Sequence, residues 1–172
     1  TAVGTNAIES NTTGAINTVS GWNSLVTNTT GSYNVSMGVN SMFKNVEGSN
    51  NVAIGASALY NSTVSGNVAV GNEAMYSNTT GQYNVGVGDG ALRSNTSGET
   101  NTAVGKGSLS ANTTGDQNTA LGHASLEANS TGANNTAMGA YSQWKNTTGQ
   151  YNSSLGLSSL QENTEGIITV SY

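Results

Sequence analysis

The sequence Asn-Thr-Ala-Val-Gly, or a close relative of it, returns every 17 residues along the whole chain. Its glycine marks the series Gly4, Gly21, Gly38, Gly55, Gly71, Gly88, Gly105, Gly122, Gly139 and Gly156, in which only the step from Gly55 to Gly71 is shorter, by one residue. A fixed period near 20 residues is the signature of a stacked repeat, in which each unit buries its apolar face only against its neighbours. The period therefore predicts one repeat domain over residues 1–172, elongated rather than globular, built of ten similar coils.

The internal copies let each column of the repeat be read. Four residues before the marker glycine stands Asn17, Asn34, Asn51, Asn67, Asn84, Asn101, Asn118, Asn135 or Asn152. Seven residues after it, counted as six in the shortened coil, stands Asn11, Asn28, Asn45, Asn61, Asn78, Asn95, Asn112, Asn129, Asn146 or Asn163. Asparagine tolerates left-handed backbone and bonds its local backbone, so both columns read as corners. Stacked in register, the same side chains predict hydrogen-bonded ladders along the rod. A second glycine follows three residues beyond the second Asn, from Gly14 to Gly166, except at Val64 in the shortened coil.

Between the corners lie two short stretches that read as extended. One has the form Thr102-Ala103-Val104 or Val52-Ala53-Ile54, and the other ends in a small residue followed by an aliphatic one, as in Ala58-Leu59 and Ser108-Leu109. Alternation over three to five residues bounded by Gly and Asn predicts β-strand. The fold class is then all-β, a parallel β-solenoid (β-roll) of ten 17-residue turns with a very thin core of two bulky aliphatics per coil. Gln143 interrupts the second aliphatic column, and the adjacent Trp144 is expected to take over its apolar role. Two columns stay small throughout. Two before the marker the residue is Ala, Ser or Gly except at Val19, and three after it always Ala or Ser. Small residues imply close approach by another backbone. That backbone is either the opposite wall of the roll or a neighbouring roll packed alongside.

Composition narrows the function classes. With 8% charged residues and a net charge of −5, the chain lacks the basic face that nucleic acid or an anionic membrane surface requires. No apolar run reaches membrane-spanning length, so no membrane insertion is expected, and the start of the chain has no signal-peptide pattern, which reads as a mature form or an excised piece. There is no cysteine for a disulfide framework. His123 is the single histidine and falls with Asp89 and Lys106 in one outward column, which reads as a solvated ladder rather than a triad. The acidic residues lack the repeating Asp of calcium-binding rolls. No catalytic, metal or cofactor site is expected, and the chain does not read as an enzyme.

The units Asn101-Thr-Ala-Val-Gly105, Asn51-Val-Ala-Ile-Gly55 and Asn118-Thr-Ala-Leu-Gly122 resemble the head repeats of trimeric autotransporter adhesins. Followed by Asn-Thr-Thr-Gly, they are still more similar to repeats of phage tail-fibre and bacterial surface proteins. The resemblance covers the whole chain, although the period here is longer than in typical adhesin heads. It implies a left-handed roll, three chains side by side about an apolar axis, and an extracellular place on a cell or virion surface. It also implies that function resides in a surface, as the shaft or head of an adhesive fibre.

Two surface features carry the candidate partners. Phe43, Tyr60 and Tyr76 share one column on three successive coils and should stack into a stripe able to bind a host glycan or matrix protein, or simply to cover backbone. The two ends of the chain, Thr1, Ala2 and Val3 against Ile167, Ile168 and Val170 (before Ser171-Tyr172), lie near the same phase of the repeat. They suggest either a segment of a longer fibre or a subunit that docks head to tail into a filament. A third reading is an ice-binding array on the stacked Thr12, Thr29, Thr79, Thr96, Thr113 and Thr147, although paired Thr-Thr side chains point to opposite faces. The Asn-x-Ser/Thr sequons, Asn11, Asn78 and Asn146 among them, arise from the repeat itself rather than from a requirement for glycosylation.

Overall fold

The computed structural model describes residues 1–171 of the chain, and Tyr172 lies outside the described residues. Eleven short strands form one parallel sheet in chain order: β1 (Ala2–Val3), β2 (Thr18–Ser20), β3 (Val35–Met37), β4 (Val52–Ile54), β5 (Val68–Val70), β6 (Val85–Val87), β7 (Thr102–Val104), β8 (Thr119–Leu121), β9 (Thr136–Met138), β10 (Ser153–Leu155) and β11 (Val170–Ser171). The register advances by one repeat per strand, as in Val52↔Val68 and Thr102↔Thr119. The chain is a β-solenoid with one sheet strand per coil.

Only the first of the two expected stretches is a strand. The second, centred on Leu25, Met42, Leu59, Met75, Leu92, Leu109 and Leu126, is a run of turns in which each of these residues has φ between 50° and 52°. The residue two places earlier is left-handed too, for example Asn23, Ser57 and Glu73. Left-handed backbone disfavours β-branched side chains most. That column accordingly carries Leu and Met, with Ile8 in the first coil and Gln143 in the ninth, while the strands are rich in Val, which suits a pleated surface. The turns still bond to neighbouring coils: Leu25 N–H donates to Ser41 O at 2.9 Å and Asn40 N–H to Trp22 O at 2.9 Å.

The core is thinner than two aliphatics per coil. Within each strand the central residue points inward, and Ala53, Ala69, Ala103, Ala120 and Ala137 are fully buried. Its bulky neighbours, such as Ile54 and Val104, face outward. Inside, the Leu/Met column packs with these alanines and with the second small column, Ala58, Ala74 and Ala91. Both small columns are thus the two inner walls of the roll, which settles the choice between interior and lateral packing for them. Where serine replaces alanine the hydroxyl is bonded within the wall, as in Ser24 Oγ to Ser36 Oγ at 2.8 Å and Ser36 Oγ to Ser41 Oγ at 2.9 Å. Gln143 keeps its place in the buried column by donating Nε2 to Thr136 O and Ser154 Oγ, both at 2.9 Å. Trp144 does not take over, because its side chain lies on the outer surface among Glu127, Tyr141 and Lys145.

Two asparagine ladders tie the coils together. In the column before the marker, each Oδ1 accepts the backbone N–H of the Asn one coil on, as in Asn118 N–H to Asn101 Oδ1 at 2.9 Å. The matching Nδ2 donates to a carbonyl of the next coil's corner, as in Asn118 Nδ2 to Gly132 O at 2.8 Å. In the second column, the Nδ2 groups of Asn28, Asn45, Asn95, Asn112, Asn129 and Asn146 donate both to the previous Asn and to the glycine of their own corner; Asn112 reaches Asn95 Oδ1 at 2.9 Å and Gly115 O at 3.0 Å. That glycine is required by space. A Cβ on Gly98 would lie 2.5 Å from Asn95 Oδ1 and 2.5 Å from Gly115 O. The marker glycines are fixed similarly: Gly88 has φ +137°, and a Cβ there would lie 2.5 Å from Gly105 O. At the last coil Asn163 leaves the ladder, its Oδ1 accepting Gly166 N–H at 3.1 Å instead.

Asn61 is a correction to the second ladder. It lies one column earlier and donates Nδ2 to Tyr76 O at 2.9 Å, while Ser62 occupies the buried corner position. The missing residue therefore falls after Thr63, where other coils have two. With Ser62 in place of Asn, no amide fills the space over the corner residue that follows, and this is the one coil where that residue is Val64 instead of glycine. The exchange leaves Asn45 Oδ1 and Ser62 Oγ buried without a partner. Ser62 and Val64 are a matched pair, so Ser62→Asn alone should destabilise the chain. Adding Val64→Gly should recover at least the loss, giving a coupling of about 1–3 kcal/mol in a double-mutant cycle followed by urea unfolding. Additive single and double effects would show the two positions to be independent.

Candidate functional site

Phe43, Tyr60 and Tyr76 do stack. Their ring centroids are 5.0 Å apart at an interplanar angle of 3° for Phe43–Tyr60, and 5.1 Å and 18° for Tyr60–Tyr76. This register follows from the sheet: rings one coil apart inherit the strand spacing. The consequence for binding is unfavourable to sugars, because rings stacked along the rod turn their faces to one another and only their edges outward. The end of the stack is covered as well, with the Arg93 guanidinium 5.8 Å from the Tyr76 centroid. Arg93 is in turn held by Glu73, Nε to Oε2 at 2.6 Å. Lys44 Nζ lies 5.9 Å from the Tyr60 centroid. Both flanking contacts are of the cation–π type. Tyr33, Tyr83 and Tyr151 stand apart from it, each left-handed and exposed just before a strand.

The outward column of Asp89, Lys106 and His123 is solvent-exposed. His123 meets Tyr141 edge-on at 5.1 Å. Among the described residues, the ion pairs are Arg93–Glu73 and Lys145–Glu162, and no group of three His, Cys, Asp or Glu could hold a metal ion. The hydroxyls of Thr12, Thr29, Thr79, Thr96, Thr113 and Thr147 each donate to a carbonyl of the next coil. Their hydrogens serve the corner rather than an external lattice. Of the sequon asparagines, Asn28, Asn34, Asn78, Asn95, Asn112, Asn129, Asn146 and Asn152 are buried in the ladders.

A further surface feature follows from the inward turn of the small strand residues. Because the small strand residue points inward, the outer face of the sheet carries Val3, Met37, Ile54, Val70, Val87, Val104, Leu121, Met138 and Leu155 in one column, with only Ser20 polar. Beside it runs a column of Val and Thr with Ser153, and neither holds a charge. Met37, Ile54, Val104, Met138 and Leu155 are exposed, Ile54 at 38% and Leu155 at 55%. Near the last coils the two columns enclose a shallow groove of about 190 Å³ lined by Thr136, Met138, Ser153, Leu155 and Val170. The candidate end-docking residues flank the edges of the same sheet. Thr1, Ala2 and Val3 lie at β1, and Ile167, Ile168 and Val170 at β11, all exposed. Thr1 donates its ammonium to Asn17 O at 3.0 Å.

No protein-family model, curated protein or solved structure matches the chain.

If the aromatic stack is structural cover, Tyr60→Ala removes two ring pairs at once and should lower stability by about 1–3 kcal/mol in chemical unfolding. An unchanged midpoint would show that the stripe contributes nothing to folding.

Proposed function

We propose that this chain is a non-enzymatic, extracellular structural protein that forms the shaft or head of an adhesive fibre on a cell or virion surface. Copies associate side by side through the outer face of the sheet, three about a common axis. The observation that carries this reading is the uncharged apolar strip running the length of the solenoid. Contiguous apolar surface of that extent on a soluble protein marks an association site. Each square ångström of it covered is worth about 25 cal/mol. The chain's charges sit elsewhere: Arg93, Lys145 and their carboxylate partners decorate the turn columns. A rod locked by hydrogen bonds between coils suits a load-bearing and displaying role. The resemblance of its repeats to adhesin heads and tail fibres supports the same reading.

The test is mass in solution. Wild-type chain should sediment as a discrete trimer, and the Ile54→Lys, Val87→Lys double variant, charged at the middle of the strip, should run as a monomer with unchanged far-UV circular dichroism. A wild-type monomer at all concentrations, or assembly indifferent to both lysines, would overturn the proposal.

A further inference from the structure

The apolar strip on the outer face of the sheet has two margins, and they are unlike. Chain order places the residues two and three before each strand along one margin, and the residue two after it along the other. Level with β6, β7 and β8, the first margin carries Gln82 and Tyr83, then Glu99, then Asp116. At the same three levels the second margin carries Asp89, Lys106 and His123. Glu99 and Asp116 are the only acids of their column, and Lys106 and His123 the only basic groups of theirs. All of these charged groups are exposed.

None of them finds an opposite charge inside the chain. Among the described residues the ion pairs are Arg93–Glu73 and Lys145–Glu162, both on the turn columns. The two margins of one coil lie at opposite ends of a strand, on the order of 20 Å of extended backbone apart, so Glu99 cannot reach Lys106 of its own copy. Asp116 Oδ1 accepts the Glu99 N–H at 2.7 Å, which holds that carboxylate at the margin and leaves its second oxygen for another donor. The apolar margin residues follow the same level-by-level match. Ile16 stands level with Trp22, Tyr33 with Val39 and Tyr151 with Leu157, all six exposed.

We infer that the outer face receives a second copy of this chain running parallel and in register, with Glu99 against Lys106 and Asp116 against His123 across the contact. The inference rests on the side-by-side association proposed above and names the groups that orient it. Rotation about an axis parallel to the rod sets one margin of each copy against the opposite margin of the next, every residue at its own level. Acid then meets base at β7 and β8. At β6 the Tyr83 hydroxyl and the Gln82 amide offer donors to Asp89, and apolar side chains meet toward both ends. His123 has an N–H for Asp116 whether its ring is neutral or charged. The alternatives lose this match. A two-fold axis across the rod packs copies antiparallel and sets each margin against itself, acids facing the column of acids. A slip of one coil sets Glu99 against Asp89 in one direction and Asp116 against Ala140 in the other. Complementary charges fix orientation and register, while the apolar strip supplies the buried area.

The test is sedimentation over a range of concentrations. Lys106→Glu together with His123→Glu should raise the concentration at which the assembly half-dissociates by about tenfold or more, with far-UV circular dichroism unchanged. Adding Glu99→Lys and Asp116→Lys, which reverses both margins, should bring it back toward the wild-type value. Because the chain has no cysteine, register can be read separately by disulfide formation. Tyr33→Cys with Val39→Cys should link copies on oxidation, whereas Tyr33→Cys with Ala56→Cys, offset by one coil, should not. No recovery in the fourfold variant, or preferred linkage of the offset pair, would overturn the inference. A wild-type monomer would refute the side-by-side reading and this inference together. An assembly indifferent to all four charge substitutions would refute the pairing alone.

Discussion

The rest of this structure depends on a side-chain amide that reaches from one coil to the next. In the ladder before the marker glycine, one asparagine satisfies a backbone N–H above it and a corner carbonyl, both buried. Buried polar groups left unpaired cost about 1–3 kcal/mol each, so every coil must repeat the same asparagine at the same place. The 17-residue period is the path length between those amides. Close stacking then excludes any Cβ at the marker glycine and at the corner glycine. The coupled change at Ser62 and Val64 shows the constraint operating in reverse: when the amide goes, the glycine is released.

This arrangement replaces a large apolar core with a narrow one. Each coil contributes one Leu- or Met-sized side chain between walls of Ala and Ser, and the wall serines bond one another. Such a roll has no room for a second bulky column, so the strand aliphatics turn outward and lie on the outer face of the sheet.

Much of this was legible in the residues. The period gave the solenoid, the invariant asparagines gave the ladders, and columnar register gave the Phe43–Tyr60–Tyr76 stack. The direction of the strand aliphatics was not, because a three-residue Val-Ala-Val fits either face and hydrophobicity alone favours bulky residues inside. A finer signal was present: Val gathers in the strands, whereas the buried turn column is filled by Leu and Met, as expected when β-branched side chains suit pleated backbone. The misplacement of Asn61 has a comparable cause. Counting from the marker cannot locate a deletion inside a coil, whereas the pairing of Ser62 with Val64 does.

Amide hydrogen exchange resolved by residue tests most directly whether the ladders, rather than apolar packing, lock the coils. The Leu59 and Met75 side chains are as buried on either side of Ser62 as Leu109 and Leu126 are elsewhere. If the amide ladder governs, exchange at the corners of Asn45, Ser62 and Asn78 is several-fold faster than at those of Asn95, Asn112 and Asn129, as expected from the loss of about one hydrogen bond. Equal protection at all these corners would contradict the account and give the apolar column the leading part.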